Sequence, residues 1–216
     1  MVKHLASPIV QDVQNILMTE GFEKPMGNMQ IRPFDKEWRG WICLMPSRST
    51  IELRTGIFST VVRDAVYDVG KPIYANPYVK IRKYRIGPPN VMLPVSLLVD
   101  PDPRSQTKMP WYDVTDRDPD WVRDQLLHAI RHYAYPFFEE TLTYEALLEA
   151  AMKYGTLNHA QQFSTPVLMM LTGRRDQLRD FVELCISHMS DDTMLSYRRY
   201  IADLGPYLTA KGLLPD

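Results

Sequence analysis

Cysteine and long apolar runs are scarce in this sequence, and each shortage excludes a class of protein. The two cysteines, Cys43 and Cys185, lie far apart among apolar neighbours, which favours buried, reduced thiols over a disulfide scaffold. The longest apolar runs, such as Val95 to Val99, are far shorter than the roughly 20 residues of a membrane-spanning helix. The N-terminus lacks the continuous apolar stretch and cleavage site of a secretory signal. We therefore expect a cytoplasmic protein that does not contact a membrane.

An excess of charge of either sign is also missing, and so are catalytic motifs. With 25 basic and 26 acidic residues, the formal net charge is −1, and no global field attracts nucleic acid or an anionic membrane. The sequence contains no nucleophile elbow and no phosphate-binding glycine loop. We expect a protein that is not an enzyme and that binds no cofactor. An enzyme whose site forms only in the fold is an alternative.

Proline is abundant, with 17 residues, and most of them lie between Pro25 and Pro136, where they mark turns and sheet edges.

Strand-like alternation is clearest from Thr50 to Ser59, which we expect to pair with Glu37 to Met45 as an antiparallel hairpin. The sequence predicts an α+β fold with an antiparallel sheet of about four to six strands in the N-terminal half. We expect one domain over residues 1–216, with a helix and the sheet in 1–115 and helices in 116–216.

Helix signals occur at the N-terminus and throughout the second half. A first helix starts at Ser7 and ends at Gly21, a residue type that favours the left-handed conformation after a helix. A second runs from about Pro119 to Tyr135, with Asp118 as a good N-cap, and Pro136 forces its end or a kink. Four further helices are predicted, over Thr143–Tyr154, Asn158–Thr172, Asp176–Met189 and Asp192–Leu204. Residues Val91–Val99 read as a strand.

The helix after Asp118 carries two histidines one turn apart. At about 100° per residue, one side holds Val122, Leu126, Ala129, Ile130, Tyr133 and Ala134. The opposite side holds Trp121, Asp124, Gln125, His128 and His132. A zinc protease would need glutamate after the first histidine, where Ala129 stands. We therefore predict a polar outward face without stoichiometric zinc, on which Trp121 either packs at the helix end or anchors a partner.

An acidic stretch precedes and enters this helix. Seven aspartates between residues 100 and 124 are matched by only four basic residues. They are Asp100, Asp102, Asp113, Asp116, Asp118, Asp120 and Asp124. The spacing does not fit a calcium loop, because Asp100-Pro-Asp-Pro lacks the turn glycine. The stretch is either a solvated loop with helix caps or an acidic surface that complements a basic protein partner.

A basic and aromatic segment, Tyr78 to Arg85, offers a different function. Lys80, Arg82, Lys83 and Arg85 alternate with apolar and aromatic residues, a pattern that can bind single-stranded nucleic acid. It can equally be a charged strand edge that prevents sheet-to-sheet association. The balanced overall charge argues against nucleic acid as a partner, and a nucleic-acid-binding or regulatory module is our alternative function.

Three features give the chain a resemblance to a bacterial domain family with immunity proteins among its members. They are the helix ending in Glu20-Gly21-Phe22, the early strands with Gly56-Ile57, and Trp121 followed by Ala134-Tyr135-Pro136-Phe137-Phe138-Glu139 before helical hairpins around Leu171-Thr172-Gly173-Arg174. The resemblance implies an immunity-type binding protein that neutralises a cognate toxin by occlusion. The predicted partner-binding residues are Asp100, Asp102, Asp113, Asp116, Trp121, Asp124, His128 and His132.

Overall fold

A computed structural model describes residues 6–70, 90–154 and 159–214. In chain order the helices and strands are α1 (Ala6–Thr19), β1 (Met29–Pro33), β2 (Trp38–Pro46), β3 (Ile51–Ser59), α2 (Thr60–Gly70), β4 (Val91–Pro94), α3 (Ser96–Val99), α4 (Pro119–Ala129), α5 (Tyr135–Glu140), α6 (Tyr144–Tyr154), α7 (His159–Leu171), α8 (Arg175–Ile186) and α9 (Asp191–Ala210). A 3₁₀ segment covers Pro103–Lys108, and a π-helical segment covers Ile130–Ala134.

The predicted α+β fold is confirmed. The described strands form one four-stranded antiparallel sheet in the order β1-β2-β3-β4, within the predicted range of four to six strands. In the first pairing Ile31 lies opposite Trp41, and Arg32 lies opposite Gly40. A Cβ atom at Gly40 would stand 3.0 Å from the ring of Phe138, so the absence of a side chain in β2 lets this ring approach the sheet.

The chain forms two compact units, and neither is a continuous half of the sequence. The sheet unit consists of Met1–Ile57 and Met92–Thr141, and the helical unit consists of Phe58–Val91 and Leu142–Asp216. The expected single domain over residues 1–216 stays a prediction.

In the sheet unit, α1 packs against α4 and against β2. Ile9, Val10, Val13 and Leu17 bury the apolar side of α1. Gly21 has the left-handed φ of +92°, as the sequence predicts, and the N–H of Phe22 donates to the Leu17 carbonyl at 3.1 Å. This C-terminal cap turns the buried Phe22 side chain back toward the helix.

The helix after Asp118 begins as predicted but does not end at Tyr135. The Asp118 carboxylate accepts a hydrogen bond from the N–H of Asp120 at 3.0 Å, and Pro119 occupies the first turn. The backbone then passes through the π-helical segment and continues as α5 to Glu140. Pro136 would collide with a carbonyl one turn earlier in a regular α-helix, and the wider π turn ahead of it provides room.

The helical unit contains a second proline inside a helix, Pro166 in α7. Proline has no N–H to donate to the carbonyl four residues earlier, which here belongs to Gln162. The buried hydroxyl of Tyr197 on α9 donates to this carbonyl at 2.8 Å. Tyr200, one turn later, donates to the carbonyl of Phe163 at 2.7 Å. The side chains of α9 therefore provide the hydrogen bonds that the proline disturbs in α7.

Two predicted boundaries are wrong for reasons that involve proline. The strand predicted over Val91–Val99 ends at Pro94, because the chain turns into the short helix α3. The last helix does not stop at Leu204 but runs through Gly205 and Pro206 to Ala210. Near the end of this helix the Thr209 hydroxyl donates to the Gly205 carbonyl at 3.0 Å, the usual bond of a helical threonine to the carbonyl four residues earlier.

Candidate interaction face

The sheet unit presents the outward side of α4 and of the π-helical segment to solvent. Val122, Leu126, Ala129 and Ile130 are fully buried. Trp121, Asp124, His128 and His132 are all exposed. The predicted helical orientation is thereby confirmed, and these four residues, which we call the outward face, line one side of the helix at spacings of three, four and four.

Trp121 keeps 41% of its surface exposed, although it is a large apolar side chain. The guanidinium carbon of Arg117 lies 5.0 Å from the centre of its ring, within the range of a cation–π contact. The contact with Arg117 favours one placement of the indole, and the exposed part of Trp121 projects into solvent. A side chain that is already held in place loses less conformational freedom when a partner covers it.

The two histidines of the outward face lie side by side. The ring centres of His128 and His132 are 4.2 Å apart, and the planes are inclined by 38°. Within the described residues, no group of three or more histidine, cysteine or carboxylate side chains is arranged to hold a metal ion. The prediction that the purified protein carries no stoichiometric zinc still awaits measurement.

The predicted acidic residues before α4 are engaged in local turns. Asp100 accepts a hydrogen bond from the N–H of Asp102. The Asp102 carboxylate caps the 3₁₀ segment and forms an ion pair with Arg104 at 3.1 Å. Hydrogen bonds from the side chain and the N–H of Arg104 lower the pKa of Asp102. These two aspartates therefore have a structural role beside any role in binding.

Asp113 is fixed beside the start of β3. The backbone bridges Asp113 to Thr50, and the carboxylate accepts hydrogen bonds from the hydroxyl and the N–H of Thr115, which lower its pKa. The exposed Asp116 carboxylate forms no hydrogen bond or ion pair within the described part of the chain. Asp113 and Asp116 thus place negative charge on an ordered loop ahead of the outward face.

Asp124 belongs to a charge pair network on α4. Arg123 forms ion pairs with Asp124 at 3.0 Å and with Asp120 at 2.7 Å. These carboxylates in turn raise the pKa of Arg123. One arginine is thus shared by two aspartates, and the stretch keeps negative charge at the start of the helix, where the helix dipole favours it.

A polar cluster that the sequence did not predict joins the turn after α1, strand β1, the π-helical segment and α5 in the sheet unit. Arg131 and Tyr135 both donate to the Glu20 carboxylate, and the Arg32 guanidinium lies 4.6 Å from the centre of the Tyr135 ring. Burial raises the pKa of Glu20, but the hydrogen bonds from Arg131 and Tyr135 and the two arginine charges outweigh it and lower that pKa. Burial and the bond to Glu20 raise the pKa of Tyr135.

A groove of about 400 Å³ runs beside α1 in the same unit. It is lined by Ser7, Val10, Gln11, Gln14, Asn15, Met18, Lys24, Pro25, Asn28 and Pro46. The lining consists of neutral polar and apolar groups with one lysine, which can bind a polar ligand but do not pair an acid with a base.

The remaining predictions concern other parts of the chain. The basic segment Tyr78 to Arg85 lies outside the described residues. Among the helices of the described ranges, none has the length and apolar character needed to cross a membrane. Comparison of the chain with protein-family models, curated proteins and solved structures found no match. The resemblance to immunity-type domains therefore stays a prediction.

Proposed function

We propose that this protein is a bacterial, cytoplasmic immunity-type binding protein that occludes a basic surface of a cognate toxin. The observation that carries this proposal is the exposed Trp121 in the first turn of α4, which follows a loop rich in aspartate. Tryptophan is enriched among the residues that dominate binding energy in protein interfaces. Its bracing by Arg117 at 5.0 Å reduces the ordering cost of association.

Charge on the approach to Trp121 supports a basic partner. Asp113 and Asp116 are exposed on the loop before α4, and Asp118 and Asp120 add negative charge at its first turn. The seven aspartates of residues 100–124 are offset by only four basic residues, Arg104, Lys108, Arg117 and Arg123. An acidic patch steers a basic partner toward the face and speeds encounter, whereas the aromatic anchor slows its departure.

A growth-rescue experiment tests the proposal. The product of the neighbouring gene, which we expect to contain the toxin domain, is expressed in a sensitive strain, alone and together with the protein. We expect the wild type to restore growth and to co-purify with the toxin domain. Trp121→Ala and Asp113→Lys/Asp116→Lys should weaken rescue, whereas Leu195→Ala, which trims an exposed apolar side chain of the helical unit, should not.

Each outcome bears on a different part of the proposal. Circular dichroism first establishes that every variant is folded. Rescue that all three variants support equally would place the interface elsewhere on the protein. A neighbouring product that is harmless, or that is neutralised without forming a complex with this protein, would contradict the immunity-type function.

A further inference from the structure

The His128 and His132 imidazoles form a pair on the outward face, and among the described residues the one further ring contact of this pair is the edge-on approach of Tyr133 to His128 at 6.4 Å. Both side chains are exposed, and their ring centres are 4.2 Å apart. Neither ring forms a hydrogen bond with another group of the described residues. The ring nitrogens are therefore available to a ligand from solvent.

The helix geometry aligns the two rings. His128 belongs to α4, and His132 belongs to the π-helical segment, where the N–H of Tyr135 donates to the carbonyl of Ile130, five residues earlier. Four residues of an α-helix overshoot one turn by about 40°, whereas a π turn contains more than four residues. The change of helix type between the two histidines therefore brings their side chains nearly into line.

We infer that His128 and His132 form a two-ligand site for a divalent transition-metal ion that favours imidazole, namely Cu²⁺, Ni²⁺ or Zn²⁺. A metal ion about 2.0–2.1 Å from each nitrogen spans up to roughly 4.2 Å between two nitrogens. The exposed rings reach this spacing by side-chain rotation, and water completes the coordination. Among these ions Cu²⁺ binds most tightly.

The site has two protein ligands rather than three. The Asp124 carboxylate, one turn before His128, is held by Arg123 at 3.0 Å. A two-ligand site binds more weakly than the three or four protein ligands of a resident zinc site. The ion is therefore lost during purification and returns when metal is added, which agrees with the predicted absence of stoichiometric zinc. The inference is independent of the proposed toxin partner.

Calorimetric titration with NiCl₂ and CuCl₂ tests the site on the full-length protein. We expect one ion per chain, and each of His128→Ala and His132→Ala should weaken binding at least about tenfold, since even the loss of an outer partner costs that much. His188→Ala, which removes an exposed histidine of the helical unit, should leave binding unchanged. Lower pH should weaken binding because ligation requires neutral imidazole.

A second measurement needs no variant. Paramagnetic Ni²⁺ added to the isotope-labelled wild type should broaden first the ring signals of His128 and His132 and the amide signals of their neighbours. Equal affinity of the wild type and the His128→Ala/His132→Ala variant would overturn the inference. So would broadening that starts at other histidines, or the absence of binding by the wild type.

Discussion

The helix that contains Pro136 and the helix that contains Pro166 accommodate their prolines in different ways. In the sheet unit, the helix from Pro119 to Glu140 widens into the π-helical segment before Pro136. In the helical unit, α7 stays α-helical through Pro166. Two tyrosines of α9 donate hydrogen bonds to the carbonyls of Gln162 and Phe163. The first solution changes the backbone, and the second uses side chains.

The difference determines what each surface can do. The carbonyls near Pro166 are satisfied by buried hydroxyl groups, and Phe163 packs edge-on against Tyr197 and Tyr200, with ring centres 5.3 and 5.0 Å away. That region is a closed core. At the π-helical segment the N–H of Tyr135 donates to the Ile130 carbonyl within the same helix. The outer side of that helix is exposed at His128 and His132.

The largest effect should follow from removing the tyrosine hydroxyls in the helical unit. Tyr197→Phe and Tyr200→Phe each leave a buried carbonyl without this donor, which costs about 1–3 kcal/mol in the free energy of unfolding. Urea denaturation measures the cost. Tyr133→Phe is a matched control, since its hydroxyl bonds no group within the described part of the chain. If the three variants are equally stable, the tyrosines do not compensate for Pro166.

A double-mutant cycle sharpens the same comparison. Pro166→Ala restores an N–H that can donate to the Gln162 carbonyl, so Tyr197→Phe should cost less in that background than in the wild type. We expect a coupling of about 0.5–2 kcal/mol, the usual range for groups in one hydrogen-bond network. Additive costs would show that the hydroxyl and the missing N–H act on different groups.

The smallest effect concerns the polar cluster around Glu20, which includes Arg131 of the π-helical segment. Glu20→Gln should lower the free energy of unfolding at pH 7 by about 1 kcal/mol, since the bonds from Arg131 and Tyr135 are charge-assisted but partly exposed. The pKa of Glu20 is lowered in the folded protein. Its contribution is therefore present above the ordinary pKa of 4.5 and is lost as the pH falls through the folded value.

Measuring the free energy of unfolding at several pH values tests this expected loss of the Glu20 contribution in acid. The wild type and Glu20→Gln should differ less and less in their free energy of unfolding below pH 4.5, because protonation removes the Glu20 charge in the folded and the unfolded state. Tyr135→Phe should show a similar narrowing, because its hydroxyl bonds the same carboxylate. If the difference in the free energy of unfolding stays constant down to about pH 3, or widens, the proposed role of the Glu20 charge is contradicted.

Local patterns predicted the parts of the structure that depend on neighbouring residues. The helical period placed Trp121 and the two histidines outward, and the N-cap at Asp118 and the left-handed Gly21 followed from residue type. The long-range parts had no such signal. Arg131 is 111 residues from Glu20, and Tyr197 is 35 residues from the carbonyl that it bonds. The prediction at Gly205-Pro206 was wrong because a proline usually ends a helix, whereas α9 continues through Pro206 to Ala210.

The kinetics of binding to the purified toxin domain test the central claim most directly, which is that Trp121 on the outward face anchors a partner. Trp121→Ala should increase the dissociation rate constant by about thirtyfold, the equivalent of a hot spot of roughly 2 kcal/mol. It should leave the association rate constant nearly unchanged, while Asp113→Lys/Asp116→Lys should slow association and reduce its salt dependence. Leu195→Ala is the matched control. A dissociation rate for folded Trp121→Ala equal to that of the wild type would contradict the claim.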